Sequence, residues 1–354
     1  MAKYETLILG ASYGSLLATK MLLAGHSVTL VCLPEEAALI NREGTRVRMP
    51  VRGRDELVEI DSRELAGDLS AATPDAVDPA AFDLVVLAMQ EPQYRSSGVR
   101  ELLEAVVRTQ RPCMSIMNMP PLPYMARLPG LSVDIFAACY TDQSVWAAFD
   151  PALMTLASPD PQAFRPSPDT PNILQVSLPT NFKVARFEAD EHTAMLRRIA
   201  ADIEAIRFDA GEGQVELPVK LKVYESLFVP LAKWSMLLTG NYRCIQKDGA
   251  RSIRDAVHGD LEQSRKVYEW VSALCRALGA AEADQVPFEK YARAAEGLAK
   301  PSSAARALFS GAPNIERVDC LVKSIARSKK MQSDVIDEVV ALVDAKLEAN
   351  RQAA

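Results

Sequence analysis

An apolar run closed by Leu7, Ile8 and Leu9 stops at a turn of small residues, Gly10-Ala11-Ser12-Tyr13-Gly14, and gives way at once to a helix pattern. Gly25-His26 closes that helix, and Ser27-Val28-Thr29-Leu30-Val31-Cys32 predicts a second strand, so the opening spells a βαβ unit. Residues 81–89, apolar almost throughout, predict a buried parallel strand. Residues 99–108 place Leu102, Leu103, Val106 and Val107 on one side of a helix. Residues 112–118 predict a short strand that ends in the polar Asn118, and residues 135–140 a further strand. The proline- and aspartate-rich stretch 150–171 predicts an irregular excursion or short hairpin. Beyond it, 172–177 and 183–187 predict strands and 191–206 a helix.

From about residue 215 the strand signals vanish. Residues 223–238 predict a long apolar helix broken or kinked at Pro230. A helix over 260–278 stops at Gly279, and another over 287–298 starts with proline in its first turn. Residues 334–351 set Ile336, Val340, Val343 and Leu347 along one face. The pattern predicts an α/β Rossmann-type domain over 1–214 and an all-α domain over 215–354.

At 354 residues the chain has length for two domains, and 49% hydrophobic residues supply a normal core. A net charge of −6 argues against nucleic acid, whose phosphates demand a basic surface. The six cysteines form no Cys-x-x-Cys pair, which predicts reduced thiols in a cytoplasmic protein and neither a disulfide frame nor a metal site. Residues 1–5 run straight into the first strand, which predicts no secretory leader. No apolar stretch approaches the ~20 residues a membrane span needs, so no membrane partner is expected.

The glycine turn is the first candidate site. A turn at a helix N-terminus brings backbone N–H groups to a pyrophosphate, and the helix dipole favours the negative charge. Ser12 stands where the usual Gly-x-Gly-x-x-Gly pattern has its second glycine, or the turn is one residue shorter and Gly14 does that job. The same residues spell Gly-x-Ser-x-Gly, the nucleophile elbow of serine hydrolases, which requires a histidine and an acid elsewhere. Only His26, His192 and His258 exist; His26 ends the first helix, where a cap or surface role is expected, and His258, with Asp260 two residues on, is the candidate partner.

Five segments, in order, resemble the ketopantoate reductase family within the 6-phosphogluconate-dehydrogenase-like reductases. They are the glycine turn; Leu87-Ala88-Met89-Gln90-Glu91-Pro92-Gln93, with Gln90 in place of the family's lysine; Ser115-Ile116-Met117-Asn118-Met119, where the family usually has glycine after the asparagine; Lys233 with Asn241 eight residues on, Leu237 replacing the family's middle asparagine; and Lys300-Pro301-Ser302-Ser303 followed by Ile315-Glu316-Arg317-Val318-Asp319. The resemblance implies a nicotinamide-dependent oxidoreductase reducing a small carbonyl substrate. It implies cofactor contacts from Gly10, Ala11, Ser12, Tyr13, Gly14, Gln90 and Asn118. Substrate contacts would come from Asn118, Asn241 and Ser303, and catalysis from Lys233 and Glu316, the lysine as general acid. Apolar neighbours of Lys233 would lower its pKa and suit it to that task. Lys220 and Lys222 are alternative registers for that lysine.

Each residue also has a structural explanation: Asn118 as a turn former, Lys233 as a lysine reaching out of an apolar helix, Ser302-Ser303 as a helix cap, Glu316 and Asp319 as favourable first-turn charges. Cofactor choice is thinly written. Strand two ends Val31-Cys32-Leu33-Pro34-Glu35-Glu36, with neither the arginine of NADPH users nor the acid of NAD users at the expected spot. Glu35 and Glu36, just beyond, would repel a phosphate; Arg42 and Arg46 could supply the phosphate contact, and NADPH is expected over NADH. The departures at Gln90, Leu237 and Met119 point away from ketopantoate itself, toward another small 2-oxo acid or related carbonyl. An opine-type dehydrogenase, or a nucleotide-binding protein of the same fold without turnover, are the alternatives. The helix over 334–351 is a candidate homodimer face.

Overall fold

β1 (Glu5–Leu9) buries Thr6, Leu7, Ile8 and Leu9 completely, as a strand inside a parallel sheet must. From it the chain passes through α1 (Ala11–Leu23), β2 (Ser27–Val31), α2 (Pro34–Glu43), β3 (Arg46–Met49), β4 (Val58–Asp61), β5 (Leu69–Ala72) and β6 (Leu84–Leu87). There follow α3 (Val99–Thr109), β7 (Cys113–Ile116), the single turn α4 (Leu122–Met125), β8 (Met154–Ser158), β9 (Gln162–Phe164), β10 (Ile173–Leu178) and β11 (Phe182–Ala185). Then come α5 (Asp190–Ala205), the paired two-residue strands β12 (Phe208–Asp209) and β13 (Gln214–Val215), and β14 (Leu221–Tyr224). This computed structural model describes residues 3–211 and 213–353.

The main sheet has eight strands in the order β14-β11-β8-β7-β6-β1-β2-β5, and only the β8–β11 pairing is antiparallel. The chain builds outward from β1 to β2 and β5, then crosses back to lay β6, β7 and β8 on the other side of β1. The β1–β6 crevice is therefore the topological switch point, where open α/β sheets bind ligands at their carboxyl ends. A second sheet, β4-β3-β10-β9, joins two excursions far apart in sequence. These elements belong to one compact unit made of the residues up to Met89, Gln93–Tyr124 and Val145–Glu225.

The other unit comprises Gln90–Pro92, Met125–Ser144 and the residues from Ser226 on. Its helices are α6 (Lys233–Met236), α7 (Ile253–His258), α8 (Leu261–Leu278), α9 (Phe288–Ala295), α10 (Ser303–Phe309), α11 (Val318–Ser328) and α12 (Asp334–Ala353). Asp260 caps α8 by accepting from Gln263 N, and Gly279 ends it at φ +120°. The fold is thus an α/β domain with a parallel sheet plus a largely helical region.

Four expectations change. Residues 135–140 form no strand; Val133–Ile135 and Ala137–Cys139 are 3₁₀ turns, and burial of Phe136 and Cys139 three residues apart matches that tighter period. The stretch 150–171 is neither wholly irregular nor a hairpin: Met154–Ser158, hidden between prolines, is the fully buried β8 of the main sheet, and β9 (Gln162–Phe164) belongs to the second sheet. Residues 221–224 continue the main sheet as β14, so the predicted helix over 223–238 begins only at Pro230, with a 3₁₀ turn before α6.

His26, expected in a cap or surface role, is 1% exposed. Its Nδ1 accepts the Tyr4 N–H at 3.3 Å and its Nε2 lies 3.6 Å from Asp202 on α5. Burial lowers its pKa from the ordinary 6.5, against the pull of Asp202. The unfolded chain therefore binds the proton more readily, so stability is complete above about pH 6.5 and falls as the pH drops below it. Protonation would also turn Nδ1 into a donor facing the Tyr4 N–H. Urea unfolding of wild type and His26→Asn at pH 7.5 and pH 5.5 is expected to show the acid loss shrinking in the variant.

Candidate active site

In the α/β unit, Gly10 leaves β1 at φ +105° and caps α1, which starts at the next residue. Its N–H donates to Val31 O at 2.9 Å. A Cβ here would lie 2.8 Å from Ala88 O and 2.6 Å from Met89 Cγ, so the turn closes directly against the end of β6. Only glycine satisfies both the backbone angle and the space. Gly14, one turn on, would put a Cβ 2.6 Å from Ile8 Cγ2; it lets α1 pack tightly on β1, the task of the third glycine in a dinucleotide turn. Ser12 is exposed in the first turn of α1, where the N–H groups of Ala11, Ser12 and Tyr13 have no intrahelical acceptor. The Tyr13 hydroxyl donates to Pro161 O at 2.7 Å, and its ring meets Phe182 edge-on. Gly10→Ala is expected to destabilise the protein by about 1–3 kcal/mol from backbone strain alone. Gly25→Ala, also at positive φ but with nothing within 4 Å, serves as the control in urea melts; the extra loss at Gly10 measures the clash with β6.

Asn118 lies two residues beyond β7, half-buried at a carboxyl strand end. Beside the end of β2, Cys32 feels both Glu36 and Arg165, and burial pushes its thiol up to about 12. Arg165 follows β9 and donates to Glu36 in the first turn of α2. Its Nε is buried with no hydrogen-bond partner among the described residues. Arg42 and Arg46, the basic residues singled out in the sequence, are engaged elsewhere: Arg42 with Glu43, Arg46 with Asp61 on β4. Nothing local in the sequence marks Arg165, which is 129 residues from Glu36 and is brought there only by the second sheet.

In the helical unit, Lys233 is the half-buried first residue of α6, between the buried Ala232 and Trp234. The helix then widens into a π-turn, Leu237–Asn241. Such turns cluster at functional sites. Tyr291 Oη donates to Met236 O at 3.0 Å where this turn begins, and a Cβ on Gly240 would sit 2.1 Å from that hydroxyl. Asn241 ends the turn and its carbonyl accepts from Ser302 Oγ at 2.7 Å. Ser302 is the α10 cap, accepting from Ala305 N, whereas Ser303 is exposed. The Tyr242 hydroxyl donates to Glu316 O and accepts from Val318 N at 3.0 Å, which fixes the buried Glu316 just ahead of α11. The π-turn thereby gathers Asn241, the Ser302–Ser303 turn and Glu316, and Lys233 precedes it on the same helical run.

Gln90 is exposed beside the buried Glu91, whose carboxylate accepts from Thr141 N (3.1 Å) and Thr141 Oγ1 (2.7 Å). Lys220 and Lys222 are not on a helix: they flank and sit on β14 and pair with Glu204 at 2.6 and 2.5 Å. His258 meets the Ala292 carbonyl at 2.9 Å. His26 lies at the far end of α1 from Ser12, about 17 Å away by helical rise, and cannot serve it as a base.

No protein-family model matches the sequence, and no curated protein does. Solved structures do match across nearly the whole chain. A ketopantoate reductase of the PanE/ApbA family from Ralstonia eutropha is 17% identical at a TM-score of 0.61, covering 98% of this chain and 99% of its own. The 2-dehydropantoate 2-reductase from Methylococcus capsulatus is 12% identical at a TM-score of 0.65, covering 98% and 97%. D-mandelate dehydrogenase, solved with NADH and anilino(oxo)acetate, is 14% identical at a TM-score of 0.63, covering 98% and 99%. At these identities the likeness is one of architecture: the chain has the two-part fold of the ketopantoate reductases.

Proposed function

We propose that the protein is an NAD(P)H-dependent reductase of a small 2-oxo acid or related carbonyl compound. The observation that carries this reading is the Gly10 turn, which sets the N-terminus of α1 at the switch point with no room for a side chain against β6. The first-turn N–H groups of Ala11, Ser12 and Tyr13 would hold the pyrophosphate, and Asn118 the nicotinamide amide or a substrate oxygen. The bound nicotinamide supplies the hydride. Lys233 delivers the proton to the carbonyl oxygen, and Asn241, Ser303 and Glu316 orient the substrate. An opine-type reaction calls for a His–Asp pair; the His258 ring is bonded to a backbone carbonyl instead.

NADPH preference belongs to the same reading, with Arg165 rather than Arg42 or Arg46 as the basic group beside strand two. Arg165→Ala is expected to weaken NADPH about ten- to a hundredfold, the worth of a charge-assisted hydrogen bond, and to leave NADH unchanged. A homodimer through the helical unit is measured by sedimentation. The deciding experiment is parallel calorimetric titration with NADPH and NADH, followed by a 2-oxo acid panel monitored by cofactor oxidation. No heat with either cofactor overturns the reading; binding without oxidation on any substrate leaves a nucleotide-binding protein.

A further inference from the structure

Of the six cysteines, two stand apart from the rest. Cys139 closes a 3₁₀ turn and Cys320 lies in the first turn of α11, 181 residues later, yet their sulfurs are 2.9 Å apart within the helical unit. A disulfide needs about 2.05 Å. Cys139 is 7% exposed and Cys320 is half-buried, so one sulfur is reachable and the other is held behind it. We propose that Cys139 and Cys320 are a peroxide-sensing thiol pair that closes to a reversible disulfide.

Cys320 is the attacking sulfur. The Cys139 S–H donates to it and Arg317 lies close, and together they lower the Cys320 thiol to about 7, while burial raises Cys32, Cys113 and Cys275 to about 12. The Cys320 thiolate attacks one oxygen of a hydroperoxide. The O–O bond breaks, the leaving hydroxide (or alkoxide, from an organic hydroperoxide) takes a proton from water to become water (or an alcohol), and Cys320 becomes a sulfenic acid. The Cys139 sulfur then attacks the Cys320 sulfur, the S–O bond breaks, and the departing hydroxide leaves as water with the Cys139 proton. Two thiols lose two electrons in all and the peroxide gains them.

The bond would tie together two segments that carry candidate site residues. Cys139 is two residues before Thr141, which holds the Glu91 carboxylate next to Gln90. Cys320 is four residues after Glu316, on the segment framed by the Tyr242 hydroxyl.

The test uses the reduced full-length protein, hydrogen peroxide, a thiol count after unfolding and a non-reducing peptide map. The expected result is loss of two of the six thiols, a Cys139–Cys320 linked peptide, and recovery with dithiothreitol. In Cys139→Ser, Cys320 is expected to stop at the sulfenic acid and to label with dimedone about tenfold faster than Cys32, following thiolate character. An unchanged thiol count, losses on other cysteines, or equal labelling of Cys32 and Cys320 would overturn the proposal. The readout is sulfur chemistry alone, so it does not depend on the reductase reading.

Discussion

Lys233→Ala is expected to lower kcat on the productive substrate by about 10²–10⁴-fold, the usual worth of a positioned general acid, while calorimetric cofactor affinity stays as in wild type. The expectation rests on where the lysine sits. It heads α6, with Ala232 and Trp234 buried on either side, and the run it starts leads into the π-turn that ends at Asn241. Lys233→Arg separates proton transfer from simple charge. A guanidinium stays protonated at every working pH, so it retains the cation but donates no proton and does not rescue kcat. Rescue by arginine would mean that Lys233 acts only as a charge, and unchanged turnover in Lys233→Ala would remove it from the mechanism. Lys220→Ala is the control, because that lysine pairs with Glu204 and Glu216 at the edge of the α/β unit.

Local signals were legible wherever local physics decides the structure. β1, α1 and β2 follow from a largely apolar stretch, a glycine turn and a second largely apolar stretch, and Gly10 shows in the structure the positive φ that such a turn requires. The long helices α8 and α12 were equally plain because a 3.6-residue period persists over several turns. What stayed hidden depends on partners distant in sequence. The β8 strand is five residues between prolines and becomes a strand only by pairing with β7 and β11. His26 looked like a cap because nothing near it in sequence announces Asp202. The same holds at the candidate site. The glycine turn could be read directly, whereas the Arg165–Glu36 pair, the Ser302–Asn241 bond and the Tyr242–Glu316 bond join residues 61 to 129 positions apart. The π-turn has no residue signature of its own, so its effect on the Lys233-to-Asn241 spacing was invisible beforehand.

Arg317→Met is expected to cost about 3–5 kcal/mol of stability, because it strands a buried carboxylate. Asp319 is 0% exposed, and Arg317 grips it with two hydrogen bonds at 2.9 and 3.0 Å while also reaching Asp344 at 2.8 Å. Burial already raises the Asp319 carboxyl above its ordinary 3.8 with the guanidinium in place. Without it the folded-state pKa rises further. The folded variant then holds its proton when the unfolded chain has released it, so its stability falls as the pH rises through and beyond 3.8. The deficit relative to wild type should therefore be smallest in acid and largest near neutrality. The double variant Arg317→Met/Asp319→Leu removes both charges and is expected to recover most of the loss, since an apolar pair of similar volume often replaces a buried ion pair without penalty. Urea unfolding followed by far-ultraviolet circular dichroism at pH 5 and pH 7.5 measures both effects. A single variant within about 1 kcal/mol of wild type at neutral pH, well below the cost of an uncompensated buried charge, would show that water reaches Asp319 and that the pair is not what anchors α11.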